Sequence, residues 1–444
     1  MIGVLDWAII LVYVLALFYI AWKTSKQEDA EGFLIGNRNI STSQLNATIA
    51  SSLAGGGALA AYIGLIYLYG LSAFWLIIGV SLAIVTFIPL AKRIKLAGDA
   101  KKHYTMFDYL SDSWGKTNVI ISSCVLLVAF LAIVVVEMIL SGKLVALVTG
   151  LPYALSVFIA ALIVFIYVFT GGFKSDVRTD FFQYLMIFLL IIIAMAILPG
   201  ASIATADLDF FAAGPVVIIS FLVLGIFSMF MSADVWQRAF AARDRKTLKR
   251  GFWGAAFSFL IIGAITTVIG LVFKAQFPAI DPNNALLHGF SQLPEGIVGI
   301  GLVALLSTTM STIDTSLFIS SLFVARDIAS QYGKQSALQL KALVRKTLII
   351  LTIIAAGVAL AIDNLVYIMY NVFNFALIVS PAVLGSFFWN MKRRAICASL
   401  VAGTLAALAL VLMNQVTAET TTIPFFISAI VLIIAQLVLP REKI

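Results

Sequence analysis

A stripe of hydroxyl side chains runs through the apolar segment LLSTTMSTIDTSL. At about 100° per residue, Thr308, Ser311, Thr312 and Thr315 share one face of a helix. An isolated Ser or Thr in a membrane helix usually bonds the carbonyl four residues earlier, but four on one face indicate a further role. Because hydroxyl and carbonyl oxygens suit a small, hard cation, the stripe predicts a cation site inside an apolar helix.

A run of three glycines interrupts a second apolar segment, LNATIASSLAGGGALAAYIGLIYLYG. The segment covers residues 43–69, so its midpoint falls at Gly56, the same depth as Ser311 in its own segment at 296–325. Each glycine costs roughly 1 kcal/mol relative to alanine in a helix interior. Close helix packing explains one or two glycines at four-residue spacing. Three in succession favour an unwound segment, which a membrane tolerates only around a cavity or an ion.

The stripe and the glycine run together predict one sodium site. We place its ligands at the carbonyl oxygens of Ala54, Gly57 and Thr308 and at the hydroxyls of Ser311 and Thr312.

The elements that must position these residues are membrane spans. The 444-residue chain is 62% hydrophobic and 11% charged, with a mean hydropathy of +1.08, whereas soluble domains carry about 25% charged residues. Apolar stretches near the ~20 residues that cross a bilayer recur throughout. We predict thirteen spans, at about 4–22, 43–69, 71–91, 117–145, 153–170, 179–199, 215–236, 251–274, 296–325, 344–362, 366–390, 395–413 and 423–440.

The basic residues predict the orientation of the spans. All 29 lysines and arginines except Lys143 and Lys274 fall in every second connection. By the positive-inside rule these connections are cytoplasmic, which places the N-terminus outside and the C-terminus inside an inner (plasma) membrane. The net charge of +8 therefore reflects topology and predicts no nucleic-acid partner.

The span count predicts an all-α membrane protein built from two five-helix repeats. We assign residues 1–42 to an extra first helix and a cytoplasmic loop, 43–199 and 200–390 to the repeats, and 391–444 to two trailing helices. Because five is odd, the repeats enter the membrane from opposite sides, and the first helix of each should be broken near the midplane. In the second repeat, Ser228, Ser232 and Asp234 interrupt the run without Gly or Pro, which is a weaker indication of a break.

Four segments resemble the sodium:solute symporter family, which includes sodium-coupled sugar, proline, pantothenate and sialic acid carriers. They are FLIGNRNI, GGFKSDVRTDFFQ, DVWQRAFAARD and LLSTTMSTIDTSL. The resemblance implies a leucine-transporter-like core and the same sodium ligands as proposed above. It also implies that Asp180 is tied to sodium coupling, in some members through a second sodium site. The chain departs from many relatives in its triple glycine and in Thr308, where many have alanine.

Asp180 stands at the start of its predicted span, about ten residues from the centre, or about 15 Å from the midplane. We therefore expect it to lie apart from the Ala54–Ser311 site and to meet sodium on the inward side, as a second site or an exit station. The preceding residues, Gly171 to Arg178, are expected to form a cytoplasmic loop.

Candidate solute-binding residues lie where the broken helices should face each other; they are Gly56, Leu59, Phe227, Phe230, Tyr370 and Asn374. Glu137 joins them because an ionisable group within a span suggests function by default. A structural glutamate near Lys143 is an equally good interpretation of that residue.

The sequence predicts sodium-driven symport of a small organic solute by alternating access, in a protein that works as a monomer in the lipid bilayer without a cofactor. A proton-coupled carrier of the same fold, relying on Asp180 or Glu137, is the nearest alternative. A transporter-like sensor is another, although the chain ends at LPREKI soon after its last span. An enzyme is disfavoured because no cluster of His, Cys and carboxylates forms a reaction centre.

Overall fold

The computed structural model describes residues 3–25, 29–170, 172–197, 202–294, 296–333, 335–362 and 364–440. In these ranges the chain is α-helical, with short 3-10 and π segments and one isolated bridge between Ile40 and Ala242. The helices of the first half are α1 (Val4–Ser25), α2 (Ala30–Ile35), α3 (Thr42–Leu53), α4 (Gly56–Tyr69), α5 (Phe74–Lys101), α6 (Met106–Thr149), α7 (Tyr153–Thr170), α8 (Phe173–Ile187) and α9 (Leu189–Ile197).

The second half continues in the same way. Its helices are α10 (Gly214–Met231), α11 (Ala233–Ala241), α12 (Arg245–Gln276), α13 (Ala285–Ser291), α14 (Ile297–Leu322), α15 (Ala337–Ala361), α16 (Leu365–Ala376), α17 (Ser380–Phe388), α18 (Arg393–Leu412) and α19 (Ile423–Val438). Each of the thirteen predicted spans coincides with one helix or two successive helices. Within the described ranges, nine helical stretches are long and apolar enough to cross a membrane, and three further apolar helices are shorter.

Helix α14 lies at the centre of the bundle. Its apolar window is 83% buried, the largest share of any candidate span in the described ranges, and it packs against α6, α8, α3 and α1. Helix α1 fixes where α14 begins, because Asp6 Oδ1 accepts hydrogen bonds from the amides of Gly296 at 2.9 Å and Gly299 at 2.6 Å. A carboxylate at a helix N-terminus satisfies amides that have no partner within the helix. The extra first helix thus positions the hydroxyl stripe.

The expectation of a loop before Asp180 is wrong over the residues that the structure describes. Gly172 is the N-cap of α8, and the helix begins at Phe173, so Asp176 already lies on it. Gly171 falls outside the described residues. Asp176 and Asp180 are four residues apart and therefore share a face. Both are buried, because that face packs against α3 and α14.

Candidate functional site

The first predicted break lies between α3 and α4. Helix α3 ends at Leu53, after which Ala54 leaves the helical region at φ −103°, ψ 43° and Gly55 is extended at φ −54°, ψ 149°. The chain becomes helical again at Gly56. A break frees amide and carbonyl groups that a membrane protein tolerates only around a cavity or a ligand. The break predicted from the glycine run is confirmed.

The three glycines also let neighbouring helices approach the break closely. A Cβ atom at any of them would collide with a side chain of α6 or α14, at Gly55 with Thr312, at Gly56 with Thr308 and Thr309, and at Gly57 with Val136. Unwinding and close packing are therefore both present, since Gly55 is extended while Gly56 and Gly57 form the first turn of α4.

Glu137 of α6 is buried against the start of α4. Its Oε2 accepts a hydrogen bond from the Gly57 amide at 2.8 Å, where the helix dipole favours a negative group. Its Oε1 is buried and has no hydrogen-bond partner among the described residues. That oxygen lies beside Gly55, and a Cβ there would meet both Glu137 Oε1 and Thr312 Oγ1. We call Gly55, Glu137 and Thr312 the break site.

A second break separates α10 from α11. Ser232 interrupts the helix at φ −79°, ψ 79°. Its hydroxyl donates to the Ser228 carbonyl at 2.8 Å, and the Trp236 indole donates to the Met229 carbonyl at 3.2 Å. These side chains satisfy carbonyls near the interruption, which explains how the helix breaks here without Gly or Pro. The weaker indication in the sequence is thus also confirmed.

The side chains of the predicted sodium-binding residues on α14 point to different neighbours, although for Thr308 only the carbonyl oxygen was predicted as a ligand. The Thr308 hydroxyl donates to its own helix at the Leu305 carbonyl, at 2.8 Å. Thr312 Oγ1 faces the break and lies 3.4 Å from the Ser52 carbonyl. Ser311 instead donates to Asp180 Oδ1 at 2.5 Å. Helix α14 therefore presents one hydroxyl to the break and the next to α8.

Arg238 lies among four buried aspartates. Its Nη2 is 3.3 Å from Asp180 Oδ2 and 3.7 Å from Asp176 Oδ2, and its Nη1 is 3.3 Å from Asp234 Oδ2. Carboxylate oxygens of Asp176, Asp180 and Asp314 all lie within 4.8 Å of one another. We call these five residues the arginine cluster.

Hydroxyl groups complete the coordination of the Arg238 guanidinium. Its Nε donates to Thr48 Oγ1 at 2.7 Å, and its Nη2 donates to Ser52 Oγ at 2.6 Å and to Thr315 Oγ1 at 2.9 Å. Thr48 in turn donates to Asp180. The network thereby joins helices α3, α8, α11 and α14 through one buried side chain.

The arginine cluster contains more acid than base. It holds four carboxyl groups and one guanidinium, and every member is buried. An ionised carboxylate without a compensating charge is strongly unfavourable inside a protein. The surplus acid must therefore be balanced by protons or by a bound cation, and the three converging carboxylates of Asp176, Asp180 and Asp314 are oxygen ligands of the kind that hard cations prefer.

The expectation that Asp180 lies apart from Ser311 is wrong, since the two side chains are hydrogen-bonded. The depth estimate assumed a span that starts at residue 179. The helical stretch actually runs from Phe173 to Ile197, so Asp180 is only about five residues from its centre, or about 8 Å along the axis. Asp180 consequently reaches the hydroxyl stripe of α14.

A cavity of about 170 Å³ lies between the two breaks. Its wall includes Leu53 and Ala58 on either side of the first break, Met231 and Ser232 at the second, and Thr312 of α14. Most of the remaining wall is apolar and aromatic. Pockets for drug-sized ligands span roughly 300–1,000 Å³, so this cavity suits a small solute.

Two of the predicted solute-binding residues, Leu59 and Tyr370, line this cavity. Phe227 and Phe230 do not, because both rings are engaged in other packing. The Phe227 ring lies 4.5 Å from that of Phe425 in α19, and Phe230 meets Phe87 edge to face at 5.7 Å. The two phenylalanines therefore support α10 and leave the cavity wall to their neighbours.

Gly56 and Asn374 are also placed away from the cavity. Gly56 is covered by the hydroxyls of Thr308 and Thr309, and the Asn374 amide donates to the Ala407 carbonyl of α18 at 3.3 Å. Glu137 does not line the cavity either, although Ile133, one turn earlier on α6, does.

The comparison with protein families identifies the family of this chain. The model of the sodium:solute symporter family matches residues 33–403, most of the chain. The chain belongs to the sodium:solute symporter family. It is 24% identical to the osmoregulated proline transporter OpuE of Bacillus subtilis, over 97% of this chain and 94% of that one. It is 25% identical to sodium/proline symporter 2 of Staphylococcus saprophyticus, over 95% and 90%.

Solved structures support the fold of this sodium:solute symporter. A Na+-coupled sialic acid symporter superposes with a TM-score of 0.83 at 17% identity, covering 100% of this chain and 99% of that one. Mhp1, a nucleobase-cation-symport-1 family transporter, superposes at 0.60 with 11% identity, over 91% and 92%. These likenesses confirm the leucine-transporter-like fold class. The protein is an integral membrane protein that carries out sodium-driven solute symport.

Sequence reasoning about this sodium:solute symporter missed Arg238, Asp176 and Asp314. The first two were assigned to cytoplasmic connections, and Asp314 was not among the predicted ligands. One signal was available. Charged residues recur four positions apart at 176 and 180 and again at 234 and 238, and such pairs share a helix face. Two such pairs at the edges of apolar runs predict that these charged residues have buried partners.

Proposed function

We propose that sodium binds where the break between α3 and α4 meets α14, and that this binding drives uptake of a small organic solute by alternating access. The ligands are the carbonyl oxygens of Ala54, Gly57 and Thr308 and the hydroxyls of Ser311 and Thr312. One observation supports this most strongly. Thr312 turns its hydroxyl toward the extended Gly55 instead of bonding the carbonyl four residues earlier, as Thr309 does.

Sodium at this position would couple two parts of the bundle. The break belongs to α3 and α4, while the hydroxyls belong to α14, so a shared ion favours conformations in which these helices are close. A tenfold sodium gradient supplies about 1.4 kcal/mol, and 100 mV of membrane potential adds about 2.3 kcal/mol per charge. One ion can therefore support solute accumulation of several hundredfold.

Asp180 contributes to sodium handling on the inward side, as a second site or as a station on the exit route. The proximity of Asp176, Asp180 and Asp314 supports this role, because three carboxylates supply more negative charge than Arg238 balances. Ser311 links this region to the break site, since it bonds Asp180 and is adjacent to Thr312.

The remaining features of the proposal come from the sequence. The basic connections favour an outside N-terminus and a cytoplasmic C-terminus in the plasma membrane. We expect the transporter to work as a monomer. The solute is a small organic molecule, and proline is the first probe to try because the two relatives named above are proline transporters.

Uptake into proteoliposomes tests the proposal. Labelled solutes are offered with an inward sodium gradient, with potassium in its place, and with a proton gradient alone. We expect sodium-dependent uptake, and we expect Ser311→Ala and Thr312→Ala each to raise the half-maximal sodium concentration at least tenfold. Ser321→Ala and Thr352→Ala are matched controls, because each hydroxyl bonds the carbonyl four residues earlier in its own helix.

The outcome separates sodium coupling from the proton-coupled alternative. Uptake driven equally well by a proton gradient without sodium, and unchanged by both α14 substitutions, would contradict the proposed site.

A further inference from the structure

The Glu137 carboxylate occupies a place that is usually free for a ligand. The N-terminus of α4 follows an unwound segment, and in transporters of this architecture such half-helix ends point at anionic substrate groups. Here the Gly57 amide already donates to Glu137 Oε2 at 2.8 Å. Glu137 therefore fills this end of α4 with a negative group belonging to the chain itself.

The second oxygen of the same carboxylate is left open. Glu137 Oε1 is buried and lacks a partner among the described residues. A buried acceptor without a partner costs about 1–3 kcal/mol, and more when it is charged. The oxygen faces the space beside Gly55, where Thr312 Oγ1 also lies. A cationic or hydrogen-bond-donating group placed there would remove the cost.

Glu137 itself does not line the solute cavity, but several of its neighbours do. Side chains on a helix lean toward the preceding turn, and the residue one turn before Glu137 on α6 is Ile133, which lines the cavity. Ala58, which follows the amide donor Gly57, lines it as well, and so does Thr312. Three neighbours of Glu137 thus border the same space.

The rest of the wall also suits a positive group. Among the described residues that line the cavity, the ionisable acid is Asp234, and no lysine or arginine is present. Tyr62, Phe130 and Tyr370 contribute aromatic rings. Aromatic faces attract ammonium groups through their quadrupole, by about 0.5–2 kcal/mol. Carboxylate and rings together match an organic ammonium group better than an anion.

We propose that Glu137 Oε1 binds the ammonium group of the transported solute, and that this contact selects small cationic or zwitterionic solutes and rejects anions. The proposal rests on the proposed function, in which the cavity binds the solute, and it adds the charge class of that solute. A solute carboxylate, where there is one, must lie away from the start of α4, because Glu137 occupies that end. An amino acid is therefore recognised through its amino group.

Binding to the purified full-length protein tests the charge class directly. Unfolding temperature is measured in saturating sodium with three matched probes for each amino acid tried, proline first. The probes are the free amino acid, a zwitterion; its amide, a cation at neutral pH; and its N-acetyl derivative, an anion. We expect the amide of the recognised amino acid to stabilise the protein as well as the parent does, and the N-acetyl derivative to give no shift.

Substitution of Glu137 assigns the effect to this residue. Glu137→Gln keeps an oxygen for the Gly57 amide but replaces the open carboxylate oxygen with an NH2 group, so the start of α4 stays capped. We expect it to weaken binding of the amide at least tenfold. Glu137→Asp keeps the charge on a side chain that is shorter by one methylene group. We expect this variant to show an intermediate loss of affinity for the amide.

A sodium titration of the same variants distinguishes the solute from sodium as the bound cation. We expect Glu137→Gln to titrate with sodium as the wild-type protein does. A shift in its sodium midpoint with unchanged solute affinity would assign the oxygen to sodium and overturn the proposal. Binding of an N-acetyl probe, or failure of every ammonium-bearing probe in a protein that still binds sodium, would also overturn it. Loss of sodium stabilisation in the wild-type protein would count against the proposed function instead.

Discussion

The break site and the arginine cluster are neighbouring arrangements of buried charge that are satisfied in opposite ways. In the arginine cluster, the Arg238 guanidinium bonds aspartates and hydroxyls from four helices. At the break site, one oxygen of Glu137 caps α4 and the other is unpartnered. In the structure the Ser311 hydroxyl bonds Asp180 of the arginine cluster, and the adjacent Thr312 hydroxyl faces the break.

The difference is that the chain supplies a permanent counter-charge to the arginine cluster, whereas the break site has none among its own three residues. A guanidinium supplied by the chain is always present, so the contacts among α3, α8, α11 and α14 persist in the absence of ions. An open carboxylate oxygen beside a cavity is satisfied only when something enters. A cation that binds Asp180 must share it with Arg238, although Asp314 Oδ2 of the same cluster has no partner among the described residues. An ammonium group at the break site would meet Glu137 Oε1 without such competition.

Removing Arg238 should have the largest effect. Arg238→Met leaves four buried carboxyl groups without their guanidinium, and breaking a buried ion pair costs about 3–5 kcal/mol. We expect a marked fall in unfolding temperature, measured in detergent micelles. Arg243→Met is the matched control, because Arg243 is exposed and pairs with the exposed Asp244.

A second variant keeps this prediction testable even if the protein folds poorly. Adding Asp180→Asn to Arg238→Met removes one uncompensated charge and should recover part of the lost stability. No recovery would show that Arg238 acts through packing and not through charge.

A methyl group at the break should reduce the rate of transport more than it reduces the stability of the fold. Gly55→Ala places a Cβ against Glu137 Oε1 and Thr312 Oγ1, so we expect sodium-dependent uptake to fall at least tenfold. Gly357→Ala in α15 has nothing within 4 Å of the new Cβ and should stabilise the helix by about 0.5–1 kcal/mol. If both variants transport equally well, the break site is not part of the mechanism.

Neutralising Asp180 should change sodium handling with a smaller effect. Asp180→Asn keeps acceptor oxygen for Ser311 and Thr48 but removes a negative charge, so we expect the half-maximal sodium concentration for uptake to rise about three- to tenfold. Asp99→Asn, at a partly exposed pair with Lys95, is the control. An unchanged sodium dependence and an unchanged rate of sodium release would remove Asp180 from the ion pathway.

Substituting Thr308 should have the smallest effect. Its hydroxyl is engaged with the Leu305 carbonyl of its own helix at 2.8 Å, and the proposal uses only its backbone oxygen. Thr308→Ala should therefore change the sodium midpoint less than twofold in the same uptake assay. A tenfold change would mean that the hydroxyl itself is a ligand.

The elements of the fold and the first break could be predicted from local sequence. Apolar length sets where a helix can cross a membrane, and three successive glycines at a midpoint predict a break regardless of what surrounds it. The hydroxyl face of α14 follows from helical periodicity in the same way. These features depend on residues close together in the chain.

The arginine cluster could not be predicted in this way because its members come from distant segments. Asp180 meets Ser311 across 131 positions, and Arg238 meets Thr48 across 190. The depth estimate for Asp180 also failed because charged residues at 174–178 suggested a loop where α8 had already begun. A polar helix start that is buried by its neighbours looks like a connection when hydropathy alone is considered.

A sodium titration of the unfolding temperature tests the central claim, that the break and α14 together bind sodium. We expect saturable stabilisation by sodium and not by potassium, a midpoint shifted at least tenfold in Thr312→Ala, and the wild-type midpoint in Thr352→Ala. Equal stabilisation by potassium, or a wild-type sodium midpoint in Thr312→Ala, would contradict the account.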